Sequence, residues 1–299
     1  MPRKAEIGGA SVWQVEEITQ KKPLSAMTRD ADLIARLPPW LFPRFIDADG
    51  QVDIVSQSWI VIVDDRVVVV DPCTGNGRDF PDFAPAHMLD TPYLERFAAT
   101  GVRPEDVDFV FCTHLHMDHC GWNTLLRAGR YVPTFPNARY VMVRREFDRW
   151  DSRRPDHVSI PANAGTFENS VLPVLKAGLA ELVPDTFRIS ASLQVEPAPG
   201  HTIGHSLLHL ACGAKQAYFV GDAFHHPIEM IHPDLDSQTS ENFPLASRTR
   251  RRIIDRCLTS EALVIPAHFP CAFGGALKLT QGELRFEPYD DVAVTALKT

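Results

Sequence analysis

FCTHLHMDHCGWNT, residues 111–124, puts three imidazoles and a carboxylate within six positions: His114, His116, Asp118 and His119. The apolar run before it, DVDFVFC (106–112), reads as a buried strand that delivers the cluster to a strand end. His114 and His116 are two apart. In extended chain such residues face the same way, so both rings can reach one ion. Asp118 and His119 follow where the chain turns into a helix, so they point away and can serve a second ion close by. Neutral imidazole with carboxylate suits Zn²⁺, and also Fe or Mn.

Four ligands on one loop do not complete two sites. Three later segments offer the remainder. APGHTIGH supplies His201, FVGDAFHH supplies Asp222 and IPAHFP supplies His268. Each stands where a strand-like run meets a loop, the usual place for site residues in α/β folds.

Working outward, a strand is expected near 11–17. The runs SWIVIVDD (58–65) and RVVVVDP (66–72) form a hairpin by pattern, with Asp64 and Asp65 at the turn. TPYLERFAATG (91–101) has helical periodicity, and CGWNTLLRAG is expected to continue as a short helix ending near Gly129. NARYVMV (137–143) is a strand, and 145–190 reads as mostly helical. LQVEPAP, HSLLHLAC and QAYFVGD are strands, followed by a helix at about 244–258 and the strand-like ALVIPAHFP (262–270). Strand-rich and helix-rich stretches alternate twice. That pattern predicts a layered α/β protein with two similar halves in one domain over 1–299, rather than two separate domains.

The 299 residues are 44% hydrophobic and 23% charged, enough for a sizeable core. A net charge of −8 argues against a nucleic-acid partner. SRTRRR (247–252) is the one basic run, and its plainer reading is a solvated helix face. The six cysteines are scattered without a CxxC pair and do not suggest a disulfide framework. Cys112 and Cys212 sit in strand-like contexts and are expected to be buried thiols. No apolar run approaches the length of a membrane span, and no signal segment is visible. The expectation is a cytoplasmic protein acting on a small molecule, with no nucleic-acid or membrane partner and with a homodimer as one option.

The ordered set His114-x-His116-x-Asp118-His119, then His201, Asp222 and His268, resembles the full ligand set of the metallo-β-lactamase-fold hydrolase superfamily over about residues 58–270. The resemblance implies an α/β fold of four layers, an αββα sandwich with metals at one sheet edge. It implies that His114, His116 and His201 hold one metal, that Asp118, His119 and His268 hold a second, and that Asp222 bridges. The cofactors would be two divalent ions, zinc first, with Fe, Mn or Co as alternatives. The implied enzyme is a binuclear hydrolase whose metal-bridging hydroxide attacks a carboxylic ester, lactone or phosphotriester, with Asp118 orienting the hydroxide and shuttling its proton.

Several branches fit poorly. The bridging position is Asp222 rather than the Cys of the commonest two-zinc β-lactamases, no basic RNA-binding arm is present, and only about 30 residues follow His268. No flavin domain or first-motif Glu is present either. What remains resembles the lactonase, arylesterase and organophosphate-hydrolase branch. The alternatives are an iron-dependent sulfur dioxygenase-like oxidoreductase, a β-lactam hydrolase, or a non-enzymatic scaffold; all seven ligands being present counts against the last.

Quorum-quenching lactonases of this type usually carry a Tyr shortly after the bridging Asp. GDAFHHPIEM has Phe224 instead, which leaves His225 or His226 as a donor. The excursion at about 19–57 holds Trp40, Leu41, Phe42, Phe45 and Ile46, too apolar for a free loop. It is expected to be a lid, a dimer contact or packing on the chain's own core. The candidate pocket residues are Trp40, Phe42, Trp122, Phe224, His225 and Phe269. His205 reads as structural, and Asp71 as a candidate acceptor for a ligating histidine's second N–H.

Overall fold

The computed structural model describes residues 1–235, 239–271 and 273–289. Sixteen strands and seven α-helices can be traced among them. In the first half these are β1 (Arg3–Ile7), β2 (Ala10–Pro23), α1 (Ala31–Ile34), β3 (Gln51–Val63), β4 (Arg66–Val70), α2 (Tyr93–Ala98), β5 (Phe109–Phe111), α3 (Met117–Cys120), β6 (Thr124–Arg127), β7 (Arg130–Pro133), β8 (Arg139–Val143), α4 (Arg144–Trp150), α5 (Leu172–Lys176) and β9 (Ala180–Val183). The second half holds β10 (Phe187–Arg188), β11 (Leu193–Pro197), β12 (Ser206–Cys212), β13 (Lys215–Phe219), α6 (Ile228–Ile231), α7 (Phe243–Ser260), β14 (Leu263–Ile265), β15 (Gly275–Thr280) and β16 (Glu283–Pro288).

One seven-stranded sheet runs β1-β2-β3-β4-β5-β8-β9 and the other β10-β11-β12-β13-β14-β15-β16. Their strands are apolar on both faces, and the period-2 alternation sorts the side chains into layers. Trp59, Val61, Val68, Val70, Phe111 and Val141 point inward and meet Leu193, Val195, Leu208, Leu210, Phe219 and Ile265 of the other sheet. Ile60, Val69, Val110, Tyr140 and Met142 point outward and are covered by Tyr93, Phe97, Phe147, Trp150 and Val174 of α2, α4 and α5. Leu207, Tyr218 and Val264 face out of the second sheet beneath Ile253, Ile254 and Cys257 of α7. The result is the expected four-layer αββα sandwich. No helix among the described residues is long and apolar enough to cross a membrane.

The β3–β4 hairpin forms with Val63 opposite Arg66. Asp64 and Asp65 both take positive φ, near 53° and 54°, as a two-residue primed turn requires. Three local expectations need correction. The helix expected after Cys120 stops there; residues 124–133 form the β6–β7 hairpin, turned by Ala128 and Gly129 at positive φ. Residues 145–190 are helical only in part, because prolines and Gly178 interrupt the segment and its apolar end is recruited as β9 beside β8. The thiol of Cys212 is partly exposed and donates to the Gly8 carbonyl. None of the six cysteines is part of a disulfide.

The excursion is shorter than expected, because β2 and β3 pair as far as Pro23 and Gln51. Within it Leu41, Phe45 and Ile46 are buried against the second sheet's outer layer, with Phe45 edge-on to Phe269 and Phe286. This part of the segment packs on the chain's own core.

Candidate metal centre

All seven candidate ligands lie beyond strand ends on one edge of the sandwich. β5 leads to His114, His116, Asp118 and His119; β11 leads to His201, β13 to Asp222 and β14 to His268. The structure gathers them into two groups: His114, His116, His201 and Asp222, and Asp118, His119 and His268. In the first, His116 Nδ1 lies 3.0 Å from His114 Nε2 and 2.9 Å from His201 Nε2. Asp222 Oδ2 is 3.3 Å from His201 Nε2 and 3.8 Å from His114 Nε2. Its other oxygen, Oδ1, is 3.0 Å from His119 Nε2 and 2.9 Å from His268 Nε2. One carboxylate thus presents an oxygen to each group. Asp118 completes the second, 3.8 Å from both His119 Nε2 and His268 Nε2.

The donor set fits divalent ions. Ligands on a tetrahedral ion with bonds of about 2.1 Å stand roughly 3.4 Å apart, close to these separations. His119 Nε2 and Asp222 Oδ1 face each other in the interior with no hydrogen bond. Buried polar atoms are rarely left so. Burial, then His119 and His116, push His114 well below the ordinary histidine value, and burial brings His116 down to about 4. Rings kept neutral have lone pairs free for a metal. Burial opposes charge on His119 too, but Asp222, Asp118 and Asp71 outweigh it and hold that ring well above its usual value. Burial also opposes ionisation of Asp222, yet His119 and His268 hold it well below the carboxylate range. A cation between them answers the same imbalance.

Buried groups behind these residues fix their positions. His205 donates Nδ1–H to the Ala198 carbonyl at 2.9 Å, so Nε2 can accept the Asp222 amide at 3.0 Å. Gly221 has φ near 49°, and a Cβ there would stand 2.5 Å from Thr113 Oγ1, so only glycine lets Asp222 approach the first loop. Asp71 accepts from the Thr113 amide at 2.7 Å and lies 3.0 Å from His119 Nδ1, where the sequence placed an acceptor. His268 donates Nδ1–H to the Val55 carbonyl.

Two buried carboxylates hold the loops. Glu146 Oε1 accepts the Leu115 amide at 3.0 Å and the Trp150 indole at 2.7 Å, while Oε2 accepts the Thr202 hydroxyl at 2.6 Å. It therefore ties the His114–His116 loop to the His201 loop. Glu17 accepts the Thr74 and Gly75 amides and the Trp122 indole, bracing the segment against which Gly121 packs. Burial raises the pKa of both carboxyls despite these donors. A third chain of contacts runs His225–Glu229–Arg250. His225 Nδ1 is 3.3 Å and Arg250 Nη2 is 2.6 Å from Glu229. The basic run of the sequence is thus partly internal: Arg250 is buried and neutralised, not part of a solvated face.

A cavity of about 270 Å³ opens over the ligands. His116, Asp118, His201, Asp222, His225 and His268 form its floor, and Lys22, Met27, Ile54, Phe83, Met117 and Ile160 much of its wall. Of the expected pocket residues, only His225 lines it. Phe224 and Phe269 are buried in the second sheet's outer layer, and Trp122 stacks on Tyr93 with its indole given to Glu17. Trp40 packs edge-on against Phe45, and Phe42 is exposed away from the cavity. His226 donates to the Phe45 carbonyl and accepts from the Ile228 amide, so it anchors the excursion instead. The wall residues carried no local signal. They meet only because the β2–β3 ribbon, the 80–87 loop and the 160–163 turn converge.

Residues 52–268 match the Metallo-beta-lactamase superfamily, well over half of the chain. The chain belongs to the metallo-β-lactamase superfamily. Solved structures agree. The superfamily hydrolase AbOPH matches with a TM-score of 0.77 at 20% identity, over 96% of this chain and 97% of its own. AidC, a dizinc quorum-quenching lactonase solved with a product, matches at 0.74 and 19%, over the same shares. At these identities the likeness speaks for the fold alone. A stretch of 81 residues is 33% identical to the N-acyl homoserine lactonase AttM of Azorhizobium caulinodans, spanning 27% of each chain, so little more than a quarter of that relative's length is matched. Membership in this superfamily implies divalent metal ions at such a cluster.

Proposed function

We propose that the chain is a binuclear hydrolase of carboxylic esters or lactones, with His114, His116 and His201 holding one ion, Asp118, His119 and His268 the other, and Asp222 shared. The observation that carries this reading is Asp222, whose two oxygens face the two ligand groups at the floor of an apolar-walled cavity. Divalent ions bound there supply Lewis acidity and lower the pKa of water toward about 7. Zinc suits the His-rich set best.

The chain's own residues do the remainder. Asp118, 29% exposed at the cavity floor, takes the proton of the attacking water on a carboxylate oxygen and returns it to the leaving oxygen. His225, presented to the cavity by Glu229 and 3.3 Å from Asp222, orients the reacting group where Phe224 cannot. The apolar wall excludes water from the acyl arm. The local likeness to a lactonase supports an ester or lactone over a β-lactam.

The test is acid release in a pH-stat by zinc-reconstituted protein. The substrates are a long-chain acyl lactone, an aryl ester, an aryl phosphotriester and a β-lactam, with His116→Ala as control. Lactone or ester turnover that the variant loses is expected. Turnover confined to the phosphotriester or the β-lactam would sink the substrate assignment. Silence on all four, with one redox-active iron per chain and oxygen uptake, would replace it with the oxidative alternative.

A further inference from the structure

We infer that the cavity takes an ester or lactone whose apolar arm ends in an anion, and that Lys22 is the group that holds that anion. This rests on the hydrolase reading above and goes on to name a substrate feature.

Lys22 is a cation on the cavity wall, close to the end of β2. Strand alternation separates it from its neighbour. Lys21 faces outward and is paired with Asp47 at 2.7 Å and Asp53 at 3.8 Å. Lys22 faces the cavity, half-buried, and has no carboxylate partner among the described residues. The two carboxylates that line the cavity, Asp118 and Asp222, belong to the ligand groups. Among the described residues the wall therefore presents an ammonium without an acidic counterpart.

Its position is built. Lys22 Nζ lies 5.5 Å from the centroid of the Phe83 ring, which supports the side chain by a cation–π contact. The Phe83 loop is tied to the same ribbon: Gln20, two residues before Lys22 and on the same face, donates Nε2–H to the Pro85 carbonyl at 3.0 Å. Across the ribbon, Ile54 pairs with Gln20 and also lines the cavity. Met27, Ile54, Phe83, Met117 and Ile160 supply an apolar surface in the cavity that also holds the candidate ligands and Lys22. An arm that lies along that wall with its scissile carbonyl at the floor can bring an anionic end to Lys22. A hydrocarbon end would leave the ammonium unanswered.

Two 4-nitrophenyl esters with six-carbon arms separate the possibilities: the adipate monoester, with a free carboxylate, and the hexanoate. In the zinc-loaded enzyme kcat/KM is expected to favour the adipate. Lys22→Gln should cut the adipate-to-hexanoate ratio about tenfold, chiefly through KM, as expected for loss of one charge-assisted contact. Lys22→Glu should invert the preference, and raising the salt concentration should weaken it in the wild type. A ratio that neither substitution moves overturns the inference.

A binding assay keeps the two claims apart. The monoanilide of adipic acid and hexananilide are amide counterparts of the same pair, and their binding to zinc-loaded protein needs no ester turnover. If neither ester is hydrolysed, the hydrolase reading fails. The anilides still decide on Lys22. Tighter binding of the anionic anilide by wild type than by Lys22→Gln supports the role, and equal binding by the two proteins overturns it.

Discussion

Apart from Met117, which stands between His116 and Asp118, the floor of the cavity and its wall are made from different parts of the chain. His116, His201, Asp222 and His268 follow the ends of four core strands, and the last three are each 5% exposed or less. Behind them stand Glu146, His205 and Asp71, themselves buried and each hydrogen-bonded to backbone or side chain. Lys22, Met27, Phe83 and Ile160 come instead from a ribbon end and from connections between elements. Among the described residues, Phe83 and Ile160 have no comparable chain of buried hydrogen-bonding groups behind them. The contrast divides the labour. Rigid strand ends fix the atoms that must meet within tenths of an ångström, and the connections set what else can fit.

The largest expected effect is on the floor. His116→Ala should lower kcat by at least about 10³-fold and reduce bound metal, with the far-UV circular dichroism unchanged. Near-wild-type turnover in a metal-replete variant would break the division at its foundation. Next comes the support behind the floor. Glu146→Gln keeps the shape but sets an amide against donors that now meet a carboxylate. Metal affinity, read by chelator competition, should fall roughly 10–100-fold, the usual loss when a ligand's outer support is altered. With cobalt in the site, the visible spectrum should also shift. An unchanged affinity and spectrum would make Glu146 a packing residue only.

On the wall, Phe83→Ala should raise KM for an apolar ester about three- to tenfold and leave kcat within about twofold, because it removes binding surface without touching the reacting atoms. A fall in kcat as large as that of Glu146→Gln would erase the distinction between floor and wall.

The smallest effect lies outside both. Partial burial works against ionisation of Glu196 on β11, but contacts with His209 and Arg256 outweigh it and hold the carboxyl at about 2. A lowered value stabilises the fold fully above the unfolded value of 4.5 and loses that contribution as pH falls toward 2. With solvent screening discounted, Glu196→Gln should cost about 1 kcal/mol at pH 7. Urea melts at pH 7 and pH 3 should show that gap shrinking with acid; a constant gap would reject the ion-pair account.

Much of the floor was legible from local pattern. His114 and His116 fall into one candidate group, as backbone alternation suggests, while Asp118 and His119 fall into the other because a helix begins there. The alternation of strand-rich and helix-rich stretches likewise announced a layered α/β fold. Where local reading failed, a distant partner decided. TLLRAGRYVP has the composition of a helix end but pairs as a hairpin. Trp122 and Phe269 sit beside ligands in sequence, yet Glu17 and Phe45 draw them into the core.

The amino-acid sequence by itself determined the inventory of candidate ligands, its order along the chain and the layered α/β class, because these follow from side-chain chemistry and short periods. Only the tertiary structure decided that Asp222 turns one oxygen to each ligand group, that Glu146 joins two loops, and that Lys22 stands over Phe83 on the wall. Those contacts join residues from about 20 to more than 100 positions apart. They are selected by the packing of whole sheets and by the need to satisfy buried polar groups, which no short stretch of chain encodes.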